Sequence, residues 1–167
     1  INVKGSIILN HDDKFFSYLH KKARLKNLKV ISFGKNKKSD IRPLKVVQNK
    51  NSTNLLLKVG NEEVKLNVKN INIYNVLAAL AVLKELNLSL NNIKKIFKNF
   101  EPTEGRGKIH LVSRYNKRFK LIDESYNANP LSVKSAISSF DAIKKKNFKK
   151  YLILGDMLEL GRKSEKY

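Results

Sequence analysis

The chain has 167 residues, 35 Lys and Arg against 14 Asp and Glu for a net charge of +21, and no cysteine. That length buries one ordinary core, or one full domain and part of another. The missing cysteine excludes a disulfide framework and a thiolate metal site, which fits a cytoplasmic setting. No apolar run approaches the roughly 20 residues of a membrane helix, and the opening INVKGSIILN lacks the plan of a signal peptide.

The elements follow in chain order. GSIILN is a short apolar run, and DDKFFSYLHKKARLK after it carries Phe15, Phe16, Leu19 and Ala23 at helical spacing, with Asp12 and Asp13 expected in the first turn. KVISFG returns as a second strand, so the first 30-odd residues read as a βαβ unit with parallel strands and a right-handed crossover. RPLKVVQNK, TNLLLKV and EVKLNV are strand-like runs, the last two joined across Gly60 and Asn61 as a hairpin added to the parallel sheet. INIYNVLAALAVLKELN places Ile73, Val76, Leu77, Leu80 and Leu83 on one face of a helix, and LNNIKKIFKNF follows as another.

EPTEGRGKIH holds a proline and two glycines and reads as a linker between domains. Beyond it come the strand-like IHLVSRY and FKLID, the polar cluster DESYNANP, and a helix with Val133, Ala136, Ile137, Phe140 and Ile143 in register, whose end at Lys144 to Lys146 reads as solvated. YLILGD reads as another buried strand. The start at Ile1 and the closing GRKSEKY, which looks like the opening of a helix, suggest a fragment of a longer protein.

The positive charge has two readings. It suits a polyanionic partner such as nucleic acid, and it also follows from abundant Lys, Asn and Ile, the trio favoured by A+T-rich coding. The lysines are spread along the chain, and aromatic residues do not interleave with them as a base-stacking surface requires, which argues against nucleic acid.

DESYNANP carries the chemistry. Asp123 and Glu124 stand where an apolar strand stops, and Pro130 marks a helix start with Asn129 as its cap. In an open α/β sheet the crevice beyond the carboxyl ends of the strands receives ligands. A carboxylate there accepts hydrogen bonds from ribose hydroxyls, and a helix N-terminus favours an anion. Asp156 follows a second apolar run in the same manner. A plain strand-to-helix loop explains the same residues, and that alternative stays open on spacing alone.

SYNANP after an acidic pair, then GDMLELG, together with the earlier GSIILNHDD, NINIYNVLAAL and GRG, resembles the Mur ligase family, and within it the ligases that add D-Ala-D-Ala. The resemblance implies an α/β fold: the second half of a P-loop-type central ATPase domain over residues 1–106, then part of a Rossmann-like C-terminal domain over residues 107–167. It implies a monomeric parent enzyme using ATP and Mg2+. ATP would phosphorylate the carboxylate of UDP-N-acetylmuramoyl-tripeptide, and the amine of D-Ala-D-Ala would attack the acyl phosphate to leave an amide.

By that resemblance Asn75 falls on the asparagine that reads adenine, with Asn72 its neighbour, although either residue also suits a helix cap. Arg106 falls on the linker arginine that contacts the nucleotide, and Asp123 and Glu124 on the acidic pair at the ribose. Tyr126, Asn127, Asn129 and Asp156 fall on the face turned toward the incoming dipeptide. The chain departs from the family at Ile71, where a histidine is usual, and at Glu124, where an aspartate is. Nothing in it resembles Gly-x-x-Gly-Lys-Ser/Thr, the loop whose amides cradle ATP phosphates, and the magnesium ligands are expected outside it. A Mur-superfamily amide ligase with a different acceptor is the alternative activity.

Overall fold

The computed structural model describes residues 5–49, 52–69, 71–90, 93–143, 149–158, 160 and 161. The lysines read as a helix end at 144–146, and the helix opening read at 162–167, lie outside these residues. The chain divides into two compact units, Ile1–Glu101 and Pro102–Tyr167.

In the first unit the strands are β1 (Ser6–Asn10), β2 (Lys29–Phe33), β3 (Ile41–Gln48), β4 (Thr53–Val59) and β5 (Glu62–Val68), paired in that order in one sheet. β1 and β2 are parallel and in register from Ser6 opposite Lys29 to Asn10 opposite Phe33. The helix α1 (Phe16–Leu25) connects them. β3 meets β2 through a single parallel bridge, Phe33 to Ile41, and runs antiparallel to β4, which runs antiparallel to β5. The expected βαβ unit with an appended hairpin is therefore the observed topology.

The antiparallel strands obey the two-residue alternation of a sheet with one covered face. Leu55, Leu57 and Val59 of β4 and Val64, Leu66 and Val68 of β5 are buried. They meet Val76, Leu77, Leu80 and Ala81, the inward face of α2 (Ile73–Glu85), while Ile93 of α3 (Ile93–Asn99) joins the same cluster. The spacing of these residues at i, i+1, i+4 and i+5 makes an apolar stripe along α2. Gly60, at φ +61°, opens the tight turn between β4 and β5, where positive φ suits glycine.

The start of α1 differs from the sequence expectation. The helix begins at Phe16 and carries no acid in its first turn. Asp13 instead accepts from the Phe15 amide at 2.8 Å, and the Asp12 carboxylate reaches across to accept from the Lys35 and Asn36 amides at 2.6 and 3.1 Å. Bonding to free loop amides satisfies three orphan donors, and it holds both acids outside the helix. Phe15 and Leu19 are exposed, while Ala23 is buried and Phe16 stacks on His11 with ring centroids 4.0 Å apart.

The second unit begins with an antiparallel hairpin of β6 (Lys108–Arg114) and β7 (Lys117–Asp123), in register from Lys108 opposite Asp123 to Arg114 opposite Lys117. Its two-residue turn is Tyr115 and Asn116, at φ +50° and +55°, the paired positive angles that match strand twist. Helix α4 (Pro130–Asp141) follows, with Val133, Ala136 and Phe140 half-buried along one side and Ile137 more exposed. Ile143 lies past its end. There Lys150 donates to the carbonyls of Phe140 and Asp141 at 3.0 and 2.8 Å, satisfying acceptors that a helix C-terminus leaves open.

The reading of YLILGD as a buried strand is not what the structure shows. Residues 151–156 are in no strand, and Tyr151, Ile153 and Leu154 are exposed. A buried strand needs hydrogen-bonding neighbours and cover on its faces. Among the described residues of this unit, β6 and β7 pair only with each other.

Leu77 is fully buried between α2 and the sheet. Leu77→Ala is expected to lower stability by about 3 kcal/mol through lost burial and a residual cavity, read as a shift of the urea midpoint. Leu111→Ala, at a position 80 % exposed, is expected to move the midpoint far less.

Candidate functional site

The polar cluster lies in the second unit, where β7 ends. Asp123 is its anchor. The Oδ2 of Asp123 accepts from the Gly105 amide at 3.1 Å and Oδ1 from the Ser125 amide at 3.0 Å, while its own carbonyl accepts from the Gly107 amide at 2.7 Å. Hydrogen bonds from Ser125, outweighing partial burial, hold the Asp123 carboxyl below the usual aspartate range, with the Gly105 amide adding to them. The Tyr126 amide returns a bond to the Gly105 carbonyl at 3.1 Å.

These bonds fasten the turn that carries Arg106. The Arg106 amide closes the turn on the Thr103 carbonyl at 3.1 Å, flanked by Gly105 at φ +72° and Gly107 at φ +85°. A Cβ at Gly105 would stand 2.7 Å from Tyr126 Cβ, so this glycine is required both by its backbone angle and by close approach. The Arg106 guanidinium lies over the Tyr126 ring, 4.5 Å from its centroid, in a cation–π contact. Thr103, Glu104, Arg106, Lys108 and Tyr126 line a hollow of about 640 Å³. Lys108 is paired with Glu104 on this lining, so Arg106 against the Tyr126 ring is what suits the hollow to an anionic, ring-bearing ligand.

Glu124 projects beside Gly107, where a Cβ would meet its Oε1 at 3.1 Å. Withdrawal from water, and then the neighbouring Asp123, raise its carboxyl above the usual glutamate range. The acidic pair is thus split by environment: Asp123 is committed to backbone amides, and Glu124 is exposed. Asn129 caps α4 as expected, accepting from Leu131 and Ser132 amides at 3.1 and 2.9 Å while Ser132 Oγ accepts from the Asn129 amide, a reciprocal capping box.

Tyr126 and Asn127 are exposed beside this group. Asp156 is exposed in an irregular segment and shares no hydrogen bond or ion pair with the cluster among the described residues. Its neighbour Met157 lines a separate hollow of about 260 Å³ against Pro130, Val133 and Ile137 of α4. Sequence reasoning missed Glu104 and His110. Glu104 pairs with Lys108, and His110 Nε2 stands 3.2 Å from Glu104 Oε2. The alternation of β6, which puts Lys108 and His110 on one side, was the available signal.

In the first unit Asn72 caps α2, its Oδ1 accepting from the Tyr74 amide at 2.9 Å. Asn75 is exposed in the first turn of the same helix. Tyr74 donates its hydroxyl to Asp12 Oδ2 at 3.1 Å, and burial, then this bond, raise the phenol's pKa. Asp12 thereby ties the start of α2 to the loop after β2. Gly34 completes the joint, since a Cβ there would lie 2.8 Å from Asp12 Oδ2. Ile71, in place of the family's usual histidine, packs against the core.

Residues 1–83 match the Mur ligase middle domain. Over this stretch the chain is similar to the Mur ligase family. Over 166 residues it is 29% identical to UDP-N-acetylmuramoyl-tripeptide--D-alanyl-D-alanine ligase of Buchnera aphidicola subsp. Baizongia pistaciae, covering 98% of this chain and 34% of that protein. It is 31% identical over 137 residues to the same organism's UDP-N-acetylmuramoyl-L-alanyl-D-glutamate--2,6-diaminopimelate ligase, covering 76% of this chain and 26% of that one. The chain thus spans about a third or less of the length of these curated relatives.

Among solved structures, MurF from Acinetobacter baumannii superposes with a TM-score of 0.77 at 24% identity, covering 95% of this chain and 33% of that one. The MurF ligase of Thermotoga maritima in complex with ADP gives 0.71 at 18% identity, covering 96% and 36%. These likenesses establish that the chain has the mixed α/β fold of those proteins.

Gly105→Ala is expected to destabilise the second unit by about 1 kcal/mol or more, from the left-handed backbone alone, and to expose the Gly105 and Tyr126 amides to faster hydrogen exchange. Gly155→Ala, where a Cβ meets nothing within 4 Å, serves as the neutral comparison. The Asp123 bonds also carry a pH dependence. Because its folded pKa is lowered, the stabilisation is full above the unfolded aspartate value and is lost as pH falls through the folded one. Protection of the Gly105 amide in hydrogen exchange should therefore hold at neutral pH and decline at acid pH, while Asp123→Asn should remove most of that dependence.

Proposed function

We propose that this chain is part of an ATP-dependent amide ligase that joins D-Ala-D-Ala to a UDP-N-acetylmuramoyl-tripeptide in peptidoglycan precursor synthesis. The observation that carries the reading is the likeness to a D-Ala-D-Ala-adding ligase along 98% of the chain, with SYNANP seated at the β7 to α4 junction. Residues 1–106 would serve as the later half of the central ATP-binding domain and residues 107–167 as the opening of the C-terminal domain.

The nucleotide fits the residues present. Arg106 offers positive charge, and the Tyr126 ring and the hollow beside it offer apolar cover. In this reading Arg106 neutralises phosphate charge, Glu124 accepts from ribose hydroxyls, and Asn75 reads the adenine, with Asn72 its neighbour at the helix entry. Asp123 acts through the turn it fastens. Tyr126, Asn127, Asn129 and Asp156 face the incoming dipeptide. ATP supplies the phosphoryl group that activates the tripeptide carboxylate, and Mg2+, held by residues outside this chain, supplies charge neutralisation. What these residues contribute is position and a fixed positive field where charge develops.

A second reading is a Mur ligase with a different acceptor, favoured by the 31% identity to the diaminopimelate-adding enzyme. Phosphate release separates the two. A full-length ligase carrying this chain is expected to turn over with ATP, UDP-N-acetylmuramoyl-tripeptide and D-Ala-D-Ala, whereas the 167-residue chain alone, having no phosphate loop, should show none. Turnover only with diaminopimelate and the dipeptide precursor would favour the second reading. In the full-length enzyme Arg106→Ala should lower kcat/KM for ATP by roughly a hundredfold, the scale of a lost oxyanion-type donor, with the thermal midpoint little changed.

A further inference from the structure

We propose that Glu104, His110 and Asp123 form a binding site for a Zn2+-like divalent ion. The three residues come from different places in the second unit: the turn before β6, β6 itself and the end of β7. Each offers one ligand atom, and the three atoms lie within 4.8 Å of one another. Two ligands on a tetrahedral zinc ion stand about 3.4 Å apart, from metal–ligand distances near 2.1 Å. Glu104 Oε2 and His110 Nε2 are already at 3.2 Å. An adjustment of the exposed Glu104 side chain closes the remainder.

The surrounding bonds leave this geometry intact. Lys108 pairs with Glu104 Oε1, so Oε2 keeps its lone pairs toward His110. Asp123 is bonded by the Gly105 amide at Oδ2 and by the Ser125 amide at Oδ1, with the Ser125 side chain adding a further bond, and a carboxylate with about four lone-pair sites keeps acceptor capacity beyond these three. Such bonds orient a ligating carboxylate in the way that outer partners do at metal centres. The donor set, one imidazole nitrogen and two carboxylate oxygens, favours zinc and its neighbours over magnesium, which takes oxygen ligands in near-ideal octahedra. Three protein ligands leave a fourth position open. A bound ion would cross-link the Arg106 turn to both strands of the hairpin, stiffening the element that presents the guanidinium.

The site stands independently of the ligase reading, and its test uses metal alone. Zn2+ is titrated into the 167-residue chain against a chromophoric chelator, in a background where the other two histidines are removed by His11→Gln and His20→Gln. The background protein is expected to bind one Zn2+, and His110→Gln or Glu104→Gln should weaken binding by roughly tenfold or more, with Mg2+ failing to compete. Zinc should also shift the His110 ring resonances in NMR spectra, which a purely structural role would not produce. Circular dichroism of each variant confirms that it stays folded, and since Glu104 is exposed and His110 half-buried, loss of binding in both variants with retained folding supports the site. Absence of binding in the background protein, or equal affinity in the His110→Gln variant, would overturn it.

Discussion

The bond from the Gly105 amide to the Asp123 carboxylate is the constraint on which the candidate site depends. Together with the Gly107 amide on the Asp123 carbonyl, it closes the segment before β6 onto the last residue of β7. A chain passing through φ +72° and +85° on either side of one arginine has few ways to be held. Here the strand end holds it, and Tyr126 then supplies both an amide for Gly105 and a ring beneath Arg106. A long cationic side chain loses rotamer freedom on binding a ligand. Resting it on an aromatic face beforehand lowers that cost.

The chain's few acids are used in the same manner elsewhere. With 14 acids against 35 Lys and Arg, a carboxylate has no shortage of lysines to meet, yet several instead accept from backbone or hydroxyl groups. Asp12 gathers the amides of Lys35 and Asn36 and the Tyr74 hydroxyl. Asp40 accepts from the amide and hydroxyl of Ser32 at 2.8 and 2.6 Å. Bonds from a charged acceptor to fixed amides are strong and specific, whereas exposed ion pairs such as Lys84 with Glu62 add little. Asp12, Asp40 and Asp123 mark joints between segments of the fold.

Much of this was legible in the sequence because the signals were periodic or local. The alternation in TNLLLKV and EVKLNV, the stripe of Val76, Leu77 and Leu80, and the Asn129 cap with Pro130 each specify their structure within a few residues. Asp12 was misplaced because a first-turn acid and an acid bonding a distant loop look identical before the loop is located. YLILGD was misread for a related reason: an apolar run signals burial only where sheet neighbours exist, and none pairs with it among the described residues. The linker was recognised by its glycines, but the partners that require them, Tyr126 and Glu124, are 21 and 17 residues away and only the fold brings them near. Glu104 and His110 carried no local pattern apart from the alternation of β6.

Under the proposed function, the Asp123-fastened turn serves to present Arg106 to the nucleotide. The most direct measurement is a double-mutant cycle in the full-length ligase, with kcat/KM for ATP determined for Gly105→Ala, Arg106→Ala and the pair. If the turn serves the arginine, Gly105→Ala costs activity in the wild-type background and adds little once Arg106 is gone. Fully additive losses, or a silent Gly105→Ala, would contradict the account.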